Sequence, residues 1–109
     1  MENLLKVDYI NLYSQWEEEL NIELQDLDDK QLALRKEIGE LIYRLSVVNS
    51  AAQFLKKTNH VVSYEEKIGK PLREQLQQKE LELEQFKNAK EEQRAHITAL
   101  LDELKERRN

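Results

Sequence analysis

The sequence contains no cysteine, a single proline, Pro71, and only two glycines, Gly39 and Gly69. The absence of cysteine excludes disulfides and thiolate zinc sites, and it favours an intracellular, cytoplasmic location. A many-stranded fold needs turn residues at each reversal of the chain, and the glycines and proline are too few for one. No apolar run approaches the roughly 18 residues of a membrane-spanning helix.

Acidic residues outnumber basic residues. The chain has 17 Lys and Arg against 22 Asp and Glu, which gives a net charge of −5. Because duplex nucleic acid requires a positive face, nucleic-acid binding is disfavoured. The 36% of charged residues, together with frequent Leu and Gln, is typical of long helices and coiled coils. We therefore predict a single all-α domain over residues 1–109.

No arrangement of residues predicts catalysis. The sequence lacks a glycine-rich phosphate loop and a nucleophile elbow. His60 and His96 are far apart, and neither has the neighbouring ligands that a metal site requires. The acidic runs Glu17–Glu19 and Glu91–Glu92 are read as solvated helix faces rather than paired catalytic carboxylates. The expectation is a protein that is not an enzyme and has no metal, cofactor or small-molecule substrate.

The first half of the chain carries apolar residues at alternating steps of four and three. This heptad spacing predicts a coiled-coil helix from about residue 3 to about residue 57. Gln31 and Glu17 are polar breaks in the pattern. The predicted core positions on this helix are Leu20, Leu24, Leu27, Leu34, Ile38, Leu41, Leu45, Val48, Ala52 and Leu55.

The heptad pattern stops between Lys56 and Pro71. We predict a loop with a short helical turn over about residues 58–70, in which Ser63 and Glu66 form a capping box. Pro71 would then occupy the first turn of the second helix, where a missing N–H costs nothing. The alternative is one helix that begins near Ser63 and runs through Pro71 with a kink. The sequence leaves both alternatives open.

A second, weaker heptad pattern predicts a helix from about residue 71 to about residue 107. Its predicted core positions are Leu72, Leu76, Leu83, Phe86, Ile97, Leu100 and Leu104, with Lys79, Lys90 and Gln93 between them. Folding the chain back at the loop makes a long antiparallel helical hairpin. In this register Leu41 lies opposite Phe86, and Ile38 lies opposite Lys90.

The hairpin does not cover all apolar residues of the first helix. Leu32, Ile42, Val47, Ala51 and Phe54 widen its apolar face, which favours association into a three- or four-helix bundle. In the predicted register the second helix reaches back only to about Leu20, so earlier residues have no partner in their own chain. We predict that this N-terminal overhang binds a partner through Leu5, Tyr9, Ile10, Leu12, Tyr13 and Trp16.

These features predict a protein–protein interaction module. It would be a coiled-coil scaffold or adaptor subunit that self-associates or joins a larger complex through its long N-terminal helix. The alternative is a small homodimeric regulator that sequesters another protein and recognises it with the loop Lys56–Lys67. The apolar overhang fits a homodimer core and a heteromeric partner helix alike. Membrane binding is disfavoured because Lys6 is the only cation in this segment.

Overall fold

The computed structural model describes the backbone of residues 2–108 and the side chains of residues 9–108. Its elements are helix α1 (Glu2–Ala51), a 3₁₀ turn (Ala52–Leu55), helix α2 (Val61–Tyr64), a π-helical turn (Glu65–Gly69) and helix α3 (Lys70–Arg108). No strand occurs in this described part of the chain. The prediction of an all-α fold with two long helices is therefore confirmed.

The connection between the long helices is shorter than the predicted loop over residues 58–70. Only residues 56–60 lie outside a helix or a helical turn. The Thr58 hydroxyl organises this connection: it donates a hydrogen bond of 2.8 Å to the Leu55 carbonyl and accepts one of 3.2 Å from the His60 N–H. A threonine side chain that bonds nearby backbone groups in this way stabilises a tight turn.

The helix after this connection runs through Pro71, as in the second of the two alternatives. Helix α2, the π-helical turn and helix α3 follow one another without interruption. The predicted capping box differs from the structure, because Ser63 lies inside α2. The residue at the N-terminal cap is His60, whose side chain makes no capping hydrogen bond.

The π-helical turn accommodates the proline. Pro71 has no N–H, and its ring would crowd the carbonyl oxygen four residues earlier in a regular α-helix. The Lys70 N–H bonds instead to the Glu65 carbonyl, five residues back, which widens the helix just before the proline. Glu65 also forms an ion pair with Arg73, across the buried Gly69.

The chain divides into two compact units. The turn unit is Gln31–Phe86, and the terminal unit is Met1–Lys30 together with Lys87–Asn109.

The turn unit is an antiparallel helical hairpin. Lys79 Nζ lies 3.0 Å from Glu37 Oε2, and the Tyr64 hydroxyl donates a hydrogen bond of 2.8 Å to the Val48 carbonyl. Leu41 is the most buried hydrophobic side chain of this unit, with 5% of its surface exposed. The other predicted core residues of the unit are half-buried, namely Leu34, Ile38, Leu45, Val48, Ala52, Leu55, Leu72, Leu76, Leu83 and Phe86.

The terminal unit also pairs its two helical segments in antiparallel fashion. Its core consists of the buried side chains of Leu20, Ile97 and Leu104. Partly buried side chains packed against this core are Tyr13, Leu24, Leu27 and Leu101.

The structure differs from the sequence prediction at Leu100. This side chain is 39% exposed, and Leu101 packs against the core of the terminal unit in its place. Both residues lie about one helical turn from Ile97 and Leu104, so either can continue the heptad pattern. Since both are leucine, the sequence pattern cannot distinguish them.

The pairing of the helices also differs from the predicted register. Leu41 was expected opposite Phe86, but it lines a groove with Gln75 and Lys79. Lys90 was expected opposite Ile38, but its Nζ lies 2.7 Å from Asp28 Oδ1. A given residue of α3 therefore lies opposite an α1 position that is about one heptad nearer the N-terminus than predicted. A shift of one heptad keeps apolar positions facing each other, so the shorter connection, rather than the apolar pattern, determines the register.

We expect Gly39→Ala to stabilise the protein. Gly39 is exposed within α1, and a Cβ built there meets no atom within 4 Å. Alanine is favoured over glycine in a helix, so the free energy of unfolding should rise by about 0.5–1 kcal/mol in urea denaturation.

Gly69→Ala is the matched control, because its Cβ would contact the Glu65 carboxylate that pairs with Arg73. Its gain should therefore be smaller than that of Gly39→Ala. A loss of stability in Gly39→Ala would contradict the open environment of this position and show that another helix covers it.

Candidate protein-interaction surface

Helix α1 exposes a row of large apolar side chains in the terminal unit. Tyr9 and Leu12 are each 55% exposed, and Trp16 is 45% exposed. Their spacing of three and four residues places them on one side of the helix. The Tyr9 ring stacks on Tyr13, with 6.5 Å between ring centroids and 24° between ring planes. We call Tyr9, Leu12 and Trp16 the N-terminal stripe.

The other predicted partner-binding residues are placed differently. Tyr13 is half-buried and packs against the core of the terminal unit. Ile10 is exposed and lines a small pocket with Tyr13, Arg107 and Arg108. The side chain of Leu5 lies outside the described residues. The structure therefore brings Tyr9, Leu12 and Trp16 together on one surface and assigns Tyr13 in part to the chain's own core.

The predicted overhang before Leu20 is partly covered by the end of α3. Arg108 Nη1 lies 2.7 Å from Glu17 Oε2, and Arg108 Nη2 donates a hydrogen bond of 2.9 Å to Ser14 Oγ. Glu17, a polar break in the heptad pattern, thereby gains a cationic partner. The shifted register explains this difference, because it places the C-terminal end of α3 beside α1 residues that precede Leu20. The unpaired part of α1 is therefore shorter than predicted.

Arg107 lies beside the same segment. The Glu103 carboxylate, 2.9 Å from Arg107 Nε, and then a hydrogen bond to Tyr13 raise the pKa of Arg107 above its ordinary value. The guanidinium is a permanent cation at the end of α3, as for any arginine. The basic residues of this last turn lie where the helix dipole favours positive charge.

A groove between α1 and α3 in the terminal unit begins about one helical turn beyond the N-terminal stripe. It has a volume of about 480 Å³. Its apolar lining consists of Leu20, Leu27, Ile97 and Leu100, and its polar lining of Glu23, Asp26, Gln93 and His96. We call it the acidic groove. Leu20 follows Trp16 by one helical turn, so the stripe leads into the groove along α1.

The α1 segment that carries the stripe and the groove is strongly acidic. From Tyr9 to Asp29 it has no Lys or Arg, and its carboxylates are Glu17, Glu18, Glu19, Glu23, Asp26, Asp28 and Asp29. Helix α3 neutralises two of these, because Arg108 pairs with Glu17 and Lys90 pairs with Asp28. Lys90, which is only 15% exposed, holds the pKa of Asp28 below its usual value through a hydrogen bond and charge attraction.

Three further carboxylates follow the stripe toward the groove. Glu19 lines a surface pocket with Tyr9, Leu12 and Trp16, and Glu23 and Asp26 line the acidic groove. Among the side chains that the structure describes, no ion pair involves these three residues. Sequence reasoning missed this row because it treated the acidic run as a solvated face. The steps of four and three from Glu19 to Glu23 and Asp26 are the signal that could have revealed it.

The turn unit has a second exposed apolar surface. Phe54 is 87% exposed, Tyr43 is 71% exposed and Val62 is 67% exposed. Phe54 is one of five residues predicted to widen the apolar face. Of the other four, Ala51 is half-buried, and three are exposed to about half of their surface, namely Leu32, Ile42 and Val47. The hairpin of the turn unit therefore leaves these side chains uncovered.

Among the residues that the structure describes, no group of three or more potential ligand side chains could hold a metal ion. The described helices include none with a stretch long and apolar enough to cross a membrane.

No family model, curated protein or solved structure matches the chain. Function must therefore be inferred from the geometry and charge of the chain's own residues.

Proposed function

We propose that this protein is a non-enzymatic interaction module, a coiled-coil scaffold or adaptor subunit that associates through the N-terminal part of α1. The observation that carries this proposal is the N-terminal stripe, with two aromatic side chains and a leucine about half exposed. Full burial of a large apolar side chain contributes about 1.5–3 kcal/mol. Trp and Tyr are also the residue types that most often anchor protein interfaces.

The proposed form of association is a three- or four-helix bundle. Two paired helices leave the N-terminal stripe outside their own core, because the stripe lies beside the heptad positions that face α3. A further helix laid along α1 would cover it, and bundles of three or four helices bury such wide apolar faces. Self-association and joining a larger complex both satisfy this geometry.

We expect Leu12→Ser combined with Trp16→Ser to abolish association while the helices remain folded. The substituted side chains are about half exposed, so their loss removes little of the chain's own packing. Association is measured in two ways: by sedimentation velocity of the chain alone, and by polarisation of a dye-labelled helical peptide with a leucine face when the chain is added. Circular dichroism measures the helical content. Ile22→Ser is the matched control, because Ile22 is 54% exposed but lies outside the stripe.

Two results would contradict the proposal. In the first, the wild-type chain stays monomeric and its Trp16 emission remains that of a solvated indole, both alone and with the helical peptides described below. In the second, Ile22→Ser impairs association as much as the double substitution does.

The second candidate function is a small homodimeric regulator that sequesters another protein through the connection between its helices. Phe54 and Val62, on either side of residues 56–60, are among the most exposed apolar side chains of the turn unit. Phe54→Ser and Val62→Ser should then reduce target binding and leave the oligomeric state unchanged.

A further inference from the structure

We infer that the terminal unit binds a basic amphipathic helix of a different protein, laid along the N-terminal stripe and the acidic groove. The inference rests on the proposed function and specifies the chemical character of the partner. The bound helix would form the third helix of a local three-helix bundle.

The shape of the surface fits a helix. The stripe begins at Tyr9, and the groove extends to Leu27 on the same helix. At 1.5 Å per residue this length of α1 is about 27 Å, which matches about five turns of a partner helix. The groove has α1 on one side and α3 on the other, with Leu20 and Ile97 among its lining residues. A helix in this position buries one apolar face against both helices at once.

The negative charge of the surface favours a partner helix with positive charge. Glu19, Glu23 and Asp26 follow one another along α1 beside the apolar lining. A helix with Lys or Arg flanking its apolar face would place ammonium or guanidinium groups against these carboxylates. Flanking charges of this kind select the partner and its orientation in helical bundles. An acidic helix with the same apolar face would be repelled.

The same segment of a second copy of this chain does not provide that charge. Its own segment from Tyr9 to Asp29 has seven carboxylates and no Lys or Arg, so stacking two such segments brings like charges together. Lys90 and Arg108 of α3 already pair with Asp28 and Glu17 in their own chain. The surface is therefore complementary to a basic helix and not to itself.

The test uses two synthetic helical peptides of about 20 residues, the length that covers about five turns. Both lack tryptophan and carry the same leucine face, but one is flanked by lysine and the other by glutamate. Trp16 is the only tryptophan of the protein, so its emission reports directly on the stripe. Polarisation of a dye on the peptide measures affinity independently. We expect the lysine-flanked peptide to bind at least about 10-fold more tightly, and the difference to shrink at about 0.5 M salt.

Substitutions in the groove test the role of the carboxylates. Glu23→Gln with Asp26→Asn removes two charges and keeps the shape of both side chains. It should weaken binding of the lysine-flanked peptide by about 3- to 10-fold. Glu74→Gln with Glu80→Gln removes two exposed charges from the turn unit and should leave the affinity unchanged.

The outcomes separate this inference from the proposed function. Equal binding of both peptides, with no effect of the groove substitutions, would contradict the claim that the partner helix is basic. It would still support the stripe as an interaction surface. Failure of both peptides, with a wild-type dimer whose Trp16 is shielded, would show that a second copy is the occupant. Failure of both peptides with a monomer and a solvated Trp16 would overturn the inference and the proposed function together.

Discussion

Leu41→Asp is expected to unfold the hairpin of the turn unit, whereas Ile42→Asp, one position along, leaves it folded. Leu41 is 5% exposed and Ile42 is 52% exposed. The first substitution loses about 1.5–3 kcal/mol of apolar burial and also removes a carboxylate from water at a position that is 5% exposed. Desolvation of the carboxylate costs several kcal/mol more. The sum is comparable with the roughly 5–15 kcal/mol of total stability of a small domain, so most of the helical signal in circular dichroism should be lost.

Ile42→Asp controls for the intrinsic effect of aspartate within α1. It introduces the same residue in the same helix, so helix propensity and added charge are nearly matched. Equal loss of helical signal in both variants would contradict the hairpin as described, since it would mean that another helix covers Ile42. Retention of the signal in both would show that Leu41 is not in a core.

The second large effect is expected at the core of the terminal unit. Leu104 is 3% exposed, so Leu104→Ala should lower the free energy of unfolding by about 2–4 kcal/mol. Leu100 is 39% exposed and lines the acidic groove, so Leu100→Ala should cost less than about 1 kcal/mol. Alanine is favourable in helices, so the difference between the variants reports packing. Urea denaturation followed by circular dichroism measures it.

Leu101→Ala adds a third point to this series. Leu101 is half-buried against the core, so its substitution should cost an amount between those of the other two. If Leu100→Ala proved as costly as Leu104→Ala and Leu101→Ala proved harmless, Leu100 rather than Leu101 would pack in the core, as the heptad pattern of the sequence predicts.

The first helix was the most predictable part of the fold. Its heptad positions from Leu20 to Leu55 are all buried or half-buried in the structure. The reason is physical: a regular four-three spacing fixes one side of a helix, whatever packs against it. Even the polar Gln31 follows the pattern and is half-buried.

The connection and the register could not be predicted in the same way. The helix through Pro71 depends on the backbone hydrogen bond from Lys70 to Glu65, and this bond has no signature in the apolar pattern. A register shifted by one heptad satisfies the same pattern, so the length of the connection decides between registers.

The interaction surface was predicted in part. The exposed aromatic residues Tyr9 and Trp16 were visible in the sequence as an apolar row with no assigned partner. Tyr13 was included in that surface, but the structure packs it partly into the core of the terminal unit. The acidic groove was not foreseen, because its lining comes from α1 and α3 together and the predicted register placed other residues opposite each other.

The central claim is that the chain folds back on itself in this register and leaves the N-terminal stripe outside its own core. Zero-length coupling of amines to carboxylates, read by mass spectrometry, tests it most directly. Mixing isotopically labelled with unlabelled protein separates links within a chain from links between chains. We predict Lys79–Glu37 and Lys90–Asp28 links within one chain, since these pairs lie 3.0 Å and 2.7 Å apart. Links found only between chains, or from Lys90 to Glu37 or Glu40, would contradict it.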